Sequence, residues 1–277
     1  GVGTIASAVV RGLLSPGGPL APGAPGLPPA GAKVVLGPRG AAKAAALAAE
    51  FPGTARVAGS NQEVVDAVDC VVVAVLPRQA EEVLRALTFR EGQQVLSLVA
   101  TLPPSRLREL AAPAAEVAVA VPLPAVARRQ GATLLIPPVP FAQAVFAPLG
   151  SCVSVDDEAQ FRRLQSVTAL MGDFYKRQLT VQQWLVSHGV PEAQAAAWVG
   201  ADFATMAADS AGAGAGTLAA LVAEQTPGGM NEMVWRDQEA DGSYQSLLYS
   251  LDAVHRRFAT GKADPELAPA VKRQRTQ

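Results

Sequence analysis

The chain has 277 residues and carries 23 Lys and Arg against 24 Asp and Glu, a formal net charge of −1. That balance removes the bulk electrostatic case for nucleic acid or an anionic membrane and points to a small-molecule partner. Mean hydropathy is +0.21, but it comes largely from alanine and valine, and no apolar run approaches the roughly 20 residues of a membrane helix, so a soluble protein is expected. Two cysteines, Cys70 and Cys152, and two histidines are too few for a disulfide framework or a structural metal site. The expectation is a cytoplasmic protein without metal, and no signal peptide is visible.

The first six residues, GVGTIA, have the spacing G-x-G-x-x-A. In such a turn the first glycine bends the chain, the second lets backbone approach a pyrophosphate, and the third small residue lets the helix pack closely on its strand. Gly1, Gly3 and Ala6 fill these places, and Gly1, Gly3, Thr4 and Ile5 become the expected cofactor contacts. A helix should follow, with Ile5, Val9, Gly12 and Leu13 on one side. The strand that should come before the turn is absent from the sequence, so a first strand is expected ahead of Gly1.

Ser15 to Ala32 is so rich in proline and glycine that it reads as a surface insertion without helix or central strand. KVVLGPRG then supplies a second strand. No acid stands at its end to bind a free ribose 2′-hydroxyl. Arg39 stands there instead, where a 2′-phosphate would be accommodated, which favours NADP over NAD. Further along come a helix over 41–51, a helix capped by Ser60 or Asn61 and running to Ala67, and a strand from Cys70 to Val75. Helix QAEEVLRAL, strand Gln94 to Ala100, helix PSRLRELA and strand EVAVAV complete the alternation. This order predicts an α/β fold, a Rossmann-type doubly wound and mostly parallel sheet, followed by an all-helical domain. Its ligand should lie outside the strand ends at Arg39, Leu76-Pro77, Ala100-Thr101 and Val121-Pro122.

From Asp156 the spacing becomes helical. One long helix should reach His188-Gly189, and others should cover 193–210, 217–225, 231–239 and 243–260. The domains are therefore 1–155, 156–261 and a mobile tail over 262–277. Ala195, Trp198, Val199, Phe203 and Met206 lie on one helix face with more apolar area than a thin helical layer hides, so a homodimer is expected through this region.

The order of motifs resembles pyrroline-5-carboxylate reductase over nearly the whole chain. The family's G-x-G-x-M-A-x-A-I-x-x-G-L corresponds to GVGTIASAVVRGL. Its arginine after the second strand corresponds to Arg39, and its asparagine opening the next helix to Asn61. A-V-K-P corresponds to Ala74-Val75-Leu76-Pro77, and S-I-A-A-G to Ser97 through Ala100. M-P-N-T-P is similar to Val121-Pro122-Leu123-Pro124, and S-P-G-G-T-T to TPGGMNE, Thr226 to Glu232. The resemblance implies a Rossmann domain with an interleaved helical dimerisation domain and reduction of a cyclic imino acid to proline with NADPH. Arg39, Asn61, Ala74, Val75, Pro77 and Ala100 would then hold the cofactor. Thr226, Gly228, Gly229 and Asn231 would hold the substrate carboxylate, with Pro122 beside the ring. Paired glycines before a helix agree with that assignment, because they expose N–H groups to an anion.

The chain departs from the family at Leu123, where the asparagine stands, and at Met171 to Lys176, where the family has S-G-S-G-P-A. An iminium that enters protonated needs no strong protein acid. Alternatives are a β-hydroxyacid dehydrogenase using Lys176 at the spacing Gly172-x-x-x-Lys176, an imine reductase using Asp173 or Tyr175 as proton donor, and a non-catalytic NADP-binding sensor. His188 and His255 read as helix-end bases, and Trp184, Trp198 and Trp235 as core or interface anchors. Glu224 and Glu232 flank the carboxylate loop and read as solvated helix positions, with an approach to an imine nitrogen as the alternative.

Overall fold

A computed structural model describes residues 1–21, 34–212 and 214–260, and the side chains up to 258. The expected tail and most of the Pro/Gly-rich insertion lie outside these residues. The described start of the insertion is turned rather than extended, with the Leu20 N–H donating to the Leu13 carbonyl at 2.9 Å and Ala21 buried. Two compact units follow one another, Gly1–Gln165 and Ser166–Gln277.

The first unit runs α1 (Thr4–Leu14), β1 (Val34–Leu36), α2 (Ala41–Glu50), β2 (Ala55–Val57), α3 (Asn61–Ala67) and β3 (Cys70–Val73). It continues with α4 (Ala80–Arg85), β4 (Gln94–Ser97), α5 (Pro104–Leu110), β5 (Glu116–Pro122), β6 (Gly131–Ile136), α6 (Pro140–Phe146), β7 (Gly150–Ser154) and α7 (Glu158–Ser166). The strands form a two-stranded sheet β1-β2 and a five-stranded sheet β3-β4-β5-β6-β7. Every pairing is parallel except β5 with β6. That pair is joined by a short 3-10 turn over Pro124–Arg128, a link too short for a parallel crossover.

Alternation along the strands explains the two-sided core. Val95, Val117 and Val119 point into one buried cluster with Leu84, Leu107 and Phe161. Leu96, Ala118 and Ala120 point into another with Val9, Ala142 and Phe146. A parallel sheet covered on both faces needs apolar residues at both parities, which these strands supply. Because Phe161 of α7 completes the first cluster, the first unit extends to Gln165. Strands β2 and β6 have no counterpart in the sequence reading. Three residues with Arg56 and Val57 exposed carry no alternation, and GATLLI is a short apolar run that periodicity leaves ambiguous.

Among the described residues, one edge of β1 and one edge of β3 have no ladder partner. Between them lies a cleft of about 780 Å³ lined by Gly1, Val9, Val34, Leu36, Val71 and Val73. Its walls are largely apolar.

Glu81 ties α4 to α5. Its carboxylate accepts from Arg106 at 2.8 and 3.1 Å and from Arg85 at 3.2 Å. Arg106 first, and then Arg85, pull its pKa down from 4.5 to about 2. A carboxyl depressed on folding stabilises above its unfolded value and loses that contribution as pH falls through its folded one. Glu81→Gln should therefore lower Tm at pH 7 by about 2 °C, as an exposed network allows. The gap between variant and wild type should close as pH falls from about 4.5 towards 2, as read by thermal melts across that range.

The second unit is helical: a 3-10 turn Val167–Ala169, then α8 (Leu170–Ser187), α9 (Glu192–Ser210), α10 (Thr217–Ala223), α11 (Met230–Ala240) and α12 (Ser243–Thr260). The single helix expected up to His188 is thus interrupted after Ser166. Helix α8 stops at His188 and Gly189, whose φ is +87°, as a glycine C-cap should. The face expected to act as one on α9 divides. Ala195 and Val199 are buried, whereas Trp198 is 66% exposed and Met206 50%.

Candidate active site

Of the cofactor residues expected in the first unit, Gly1, Asn61, Ala74 and Val75 line the cleft. Helix α1 starts at Thr4 behind Gly3, with no side-chain cap and no acid in its first turn. The N–H groups at a helix start lack intrahelical partners, so this end presents donors and a positive dipole. The Gly3 position is open, since a Cβ built there meets nothing within 4 Å, whereas one at Gly1 would meet the Ala74 carbonyl oxygen at 3.3 Å. Gly1 is therefore pressed against the end of β3 and Gly3 faces space.

Around this turn stand the other members. A Cβ at Gly37, the residue after β1, would lie 3.2 Å from Asn61 Oδ1, so the asparagine at the start of α3 adjoins the end of β1. Ser60 caps that helix by accepting the Glu63 N–H at 3.0 Å, and the Glu63 carboxylate accepts the Gly59 N–H at 2.7 Å. This is a close variant of the capping box. Arg39 is exposed. A Cβ at Gly40, the next residue, would lie 3.5 Å from the Val2 carbonyl oxygen, so the Arg39 turn and the glycine turn share this end of the unit. Val75 is half-buried and Pro77 exposed, with Pro77 opening a 3-10 turn over Pro77–Gln79.

Ala100 is held in a way the sequence did not disclose. Its carbonyl accepts from Arg162 Nη1 and, at 3.4 Å, from Gln165 Nε2, both on α7. Arg162 also pairs with Glu158 at 3.1 Å. Nothing in the local spacing of EAQFRRLQS marks Arg162 as facing a strand end 62 residues earlier. Pro122 is buried at the end of β5, opposite Thr133, and presents less of itself than a ring contact was expected to. Neither cysteine is activated. Burial and then Asp69 push the Cys70 thiol up to about 11, and burial raises Cys152.

In the second unit the Thr226 to Asn231 loop enters α11 through Gly229. Three of its donors are engaged within the chain. The Gly229 N–H donates to the Thr226 carbonyl at 2.8 Å, Asn231 Nδ2 to Gln225 Oε1 at 2.9 Å, and the Gly228 N–H to Glu232 Oε2 at 2.6 Å. Arg236 donates to Glu232 Oε1 at 2.7 and 2.9 Å. The Gly228 bond first, and Arg236 second, lower the Glu232 pKa. Glu232 is thus a capping carboxylate rather than the solvated residue expected. Thr226 is exposed. Among the alternative acids, Asp173 is engaged by Arg177 at 2.7 Å. Lys176 is exposed and Tyr175 is 60% exposed. His188 Nδ1 donates to the Trp184 carbonyl at 2.8 Å. Trp184 is 58% exposed, so it is no core anchor of the chain by itself.

The fold is that of the pyrroline-5-carboxylate reductases. The Streptococcus pyogenes enzyme of that name superposes with a TM-score of 0.73 at 20% identity over 93% of this chain and 95% of its own. The Plasmodium falciparum pyrroline carboxylate reductase, solved with NADP bound, has a TM-score of 0.71 at 13% identity over 93% and 94%. A reductive aminase from Aspergillus terreus, solved with NADPH and ethyl levulinate, has a TM-score of 0.56 at 18% identity over 95% and 93%. Residues 1–101 match the protein family described as NADP oxidoreductase, coenzyme F420-dependent. No curated protein matches the chain. No helix among the described residues is long and apolar enough to cross a membrane, and they contain no cluster of three metal-ligating side chains.

Proposed function

We propose that this protein is an NADPH-dependent reductase of the C=N bond of a cyclic imine. Pyrroline-5-carboxylate, reduced to proline, is the substrate that the sequence resemblance implies. The observation that carries the reading is the start of α1, uncapped and free of acid, behind a Gly3 that faces open space. The fold shared with NADP-bound and NADPH-bound reductases supports it.

NADPH, when bound, supplies the hydride. The turn at Gly1 and Gly3, with the N–H groups of Thr4 and Ile5, would take its pyrophosphate. Arg39 would take the 2′-phosphate, and Asn61, Ala74, Val75, Pro77 and Ala100 would line its path along the strand ends. Arg162 would act through Ala100, fixing that strand end by the bond to its carbonyl. An imine that arrives protonated draws no proton from the chain, which agrees with an Asp173 already paired to Arg177. The reading includes a homodimer, supported by exposed apolar residues of the second unit such as Trp184, Trp198, Met230, Val234 and Tyr249. Light scattering should give twice 28.5 kDa, and a monomer mass would remove that part.

The test is NADPH oxidation with 1-pyrroline and with 1-pyrroline-5-carboxylate over about pH 5 to 9. Turnover of either supports the reading, and turnover of neither removes it. Arg39→Ala should raise the NADPH KM about tenfold and leave that for NADH unchanged, about the loss expected for one charged contact to phosphate. Equal use of NADH and NADPH by the wild type would count against the role of Arg39.

A further inference from the structure

Three of the donors that a substrate carboxylate could use at the Thr226 to Asn231 loop are engaged within the chain. We propose that Glu232 sets the substrate class by holding the Gly228 N–H from within the protein, so that the imine preferred here carries no carboxylate. The inference rests on the imine-reductase reading above and names which imines that reading should include.

Three observations combine. First, the Gly228 N–H gives Glu232 a charge-assisted bond of 2.6 Å, the kind an incoming carboxylate would have to break before forming its own. Secondly, one Asn231 Nδ2 hydrogen and the Gly229 N–H are spent on Gln225 and on the Thr226 carbonyl, so three donors of the loop, with that of Gly228, already have acceptors within the chain. Thirdly, Glu232 is held in place from its other oxygen. Arg236 donates to Oε1 twice while its guanidinium lies 4.7 Å over the Trp235 ring. The Glu232 side chain is only 19% exposed, against 61% for Arg236. A substrate carboxylate would therefore meet a fixed like charge at the N–H it seeks, whereas a protonated iminium without a carboxylate meets attraction. The same device operates at α3, where Glu63 takes the Gly59 N–H, so the chain uses its own glutamate to finish a helix start in both places.

The experiment compares wild type, Glu232→Gln and Glu232→Ala. One readout is the ratio of kcat/KM for 1-pyrroline to that for 1-pyrroline-5-carboxylate. The other is calorimetric binding of L-proline and pyrrolidine in the presence of NADP. The wild type should favour the carboxylate-free imine by at least about tenfold, and Glu232→Ala should reduce that ratio by at least about tenfold while gaining proline binding. Glu232→Gln keeps an acceptor for Gly228 without the charge, and it decides the matter if the alanine variant fails to fold. A wild type that prefers the carboxylated imine, or a ratio unmoved by both substitutions, overturns the proposal. Should neither imine turn over, the reductase reading falls and proline binding decides alone. Binding gained by the variants upholds the role of Glu232, and binding equal to the wild type, or absent throughout, overturns it.

Discussion

Gly3→Val should leave the first unit folded and weaken NADPH binding by at least about 100-fold, close to 2.7 kcal/mol. The backbone at Gly3 has φ −91° and ψ −175°, an extended conformation that valine adopts readily. A side chain there meets no heavy atom within 4 Å at its Cβ. The folding cost is confined to a poorer N-cap, about 1 kcal/mol, or roughly 3 °C in Tm. The ligand cost is different in kind. Two γ-methyl groups would project over the donors at the start of α1, where a pyrophosphate needs backbone contact, and no rotamer removes both. Fluorescence titration of NADPH with a melting curve on the same sample separates the two effects. Unchanged NADPH affinity in a folded variant would remove this turn from the cofactor site.

The opposite pattern is expected nine residues later. Gly12→Ala should destabilise the first unit by about 3 kcal/mol, near the upper end of the cost of overpacking. The added Cβ would lie 2.3 Å from the Val126 carbonyl oxygen and 3.0 Å from Leu149 Cδ2. The first of these is backbone and cannot turn aside, so α1 must lift from the 3-10 turn over Pro124–Arg128. A helix interior normally gains from glycine to alanine, which makes the expected sign a test of close approach rather than of propensity. The fall in Tm, about 10 °C, should be followed by far-ultraviolet circular dichroism. Tryptophan fluorescence is unsuited because Trp184, Trp198 and Trp235 all lie in the second unit. A neutral or stabilising alanine would show that α1 does not sit against this turn.

These two glycines show how unevenly the site could be read from the chain. The place of Gly3 was legible, because the spacing G-x-G-x-x-A sets a turn before a helix and the helix begins at the next residue. Gly12 appeared only as one member of an apolar face, since its partner is a carbonyl more than a hundred residues away. Arg39 and Asn61 were legible from their places after a strand and at a capped helix start. Arg162 was not, because an arginine among EAQFRRLQS is indistinguishable from a solvated one until α7 is packed on the sheet. At the other loop a signal was present and read differently. Glu232 stands three residues after the N-cap Gly229, the spacing of a capping glutamate, and its bond takes the Gly228 N–H out of the loop's free donors.

By itself the sequence determined what depends on neighbours in the chain. The alternation of strands and helices, the glycine turn, the cap at Ser60, the stop at Gly189 and the change to helical spacing after Asp156 are set by local torsional preference and by periods of two and 3.6 residues. Tertiary structure alone decided the antiparallel turn of β6 against β5, the cleft left between β1 and β3, and the pinning of Ala100 by α7. It also decided which face of α9 is buried, with Ala195 and Val199 inside and Trp198 outside. The physical reason is that each of these depends on which surfaces meet, and burial and backbone pairing between distant segments are summed over the whole unit rather than encoded at any one position.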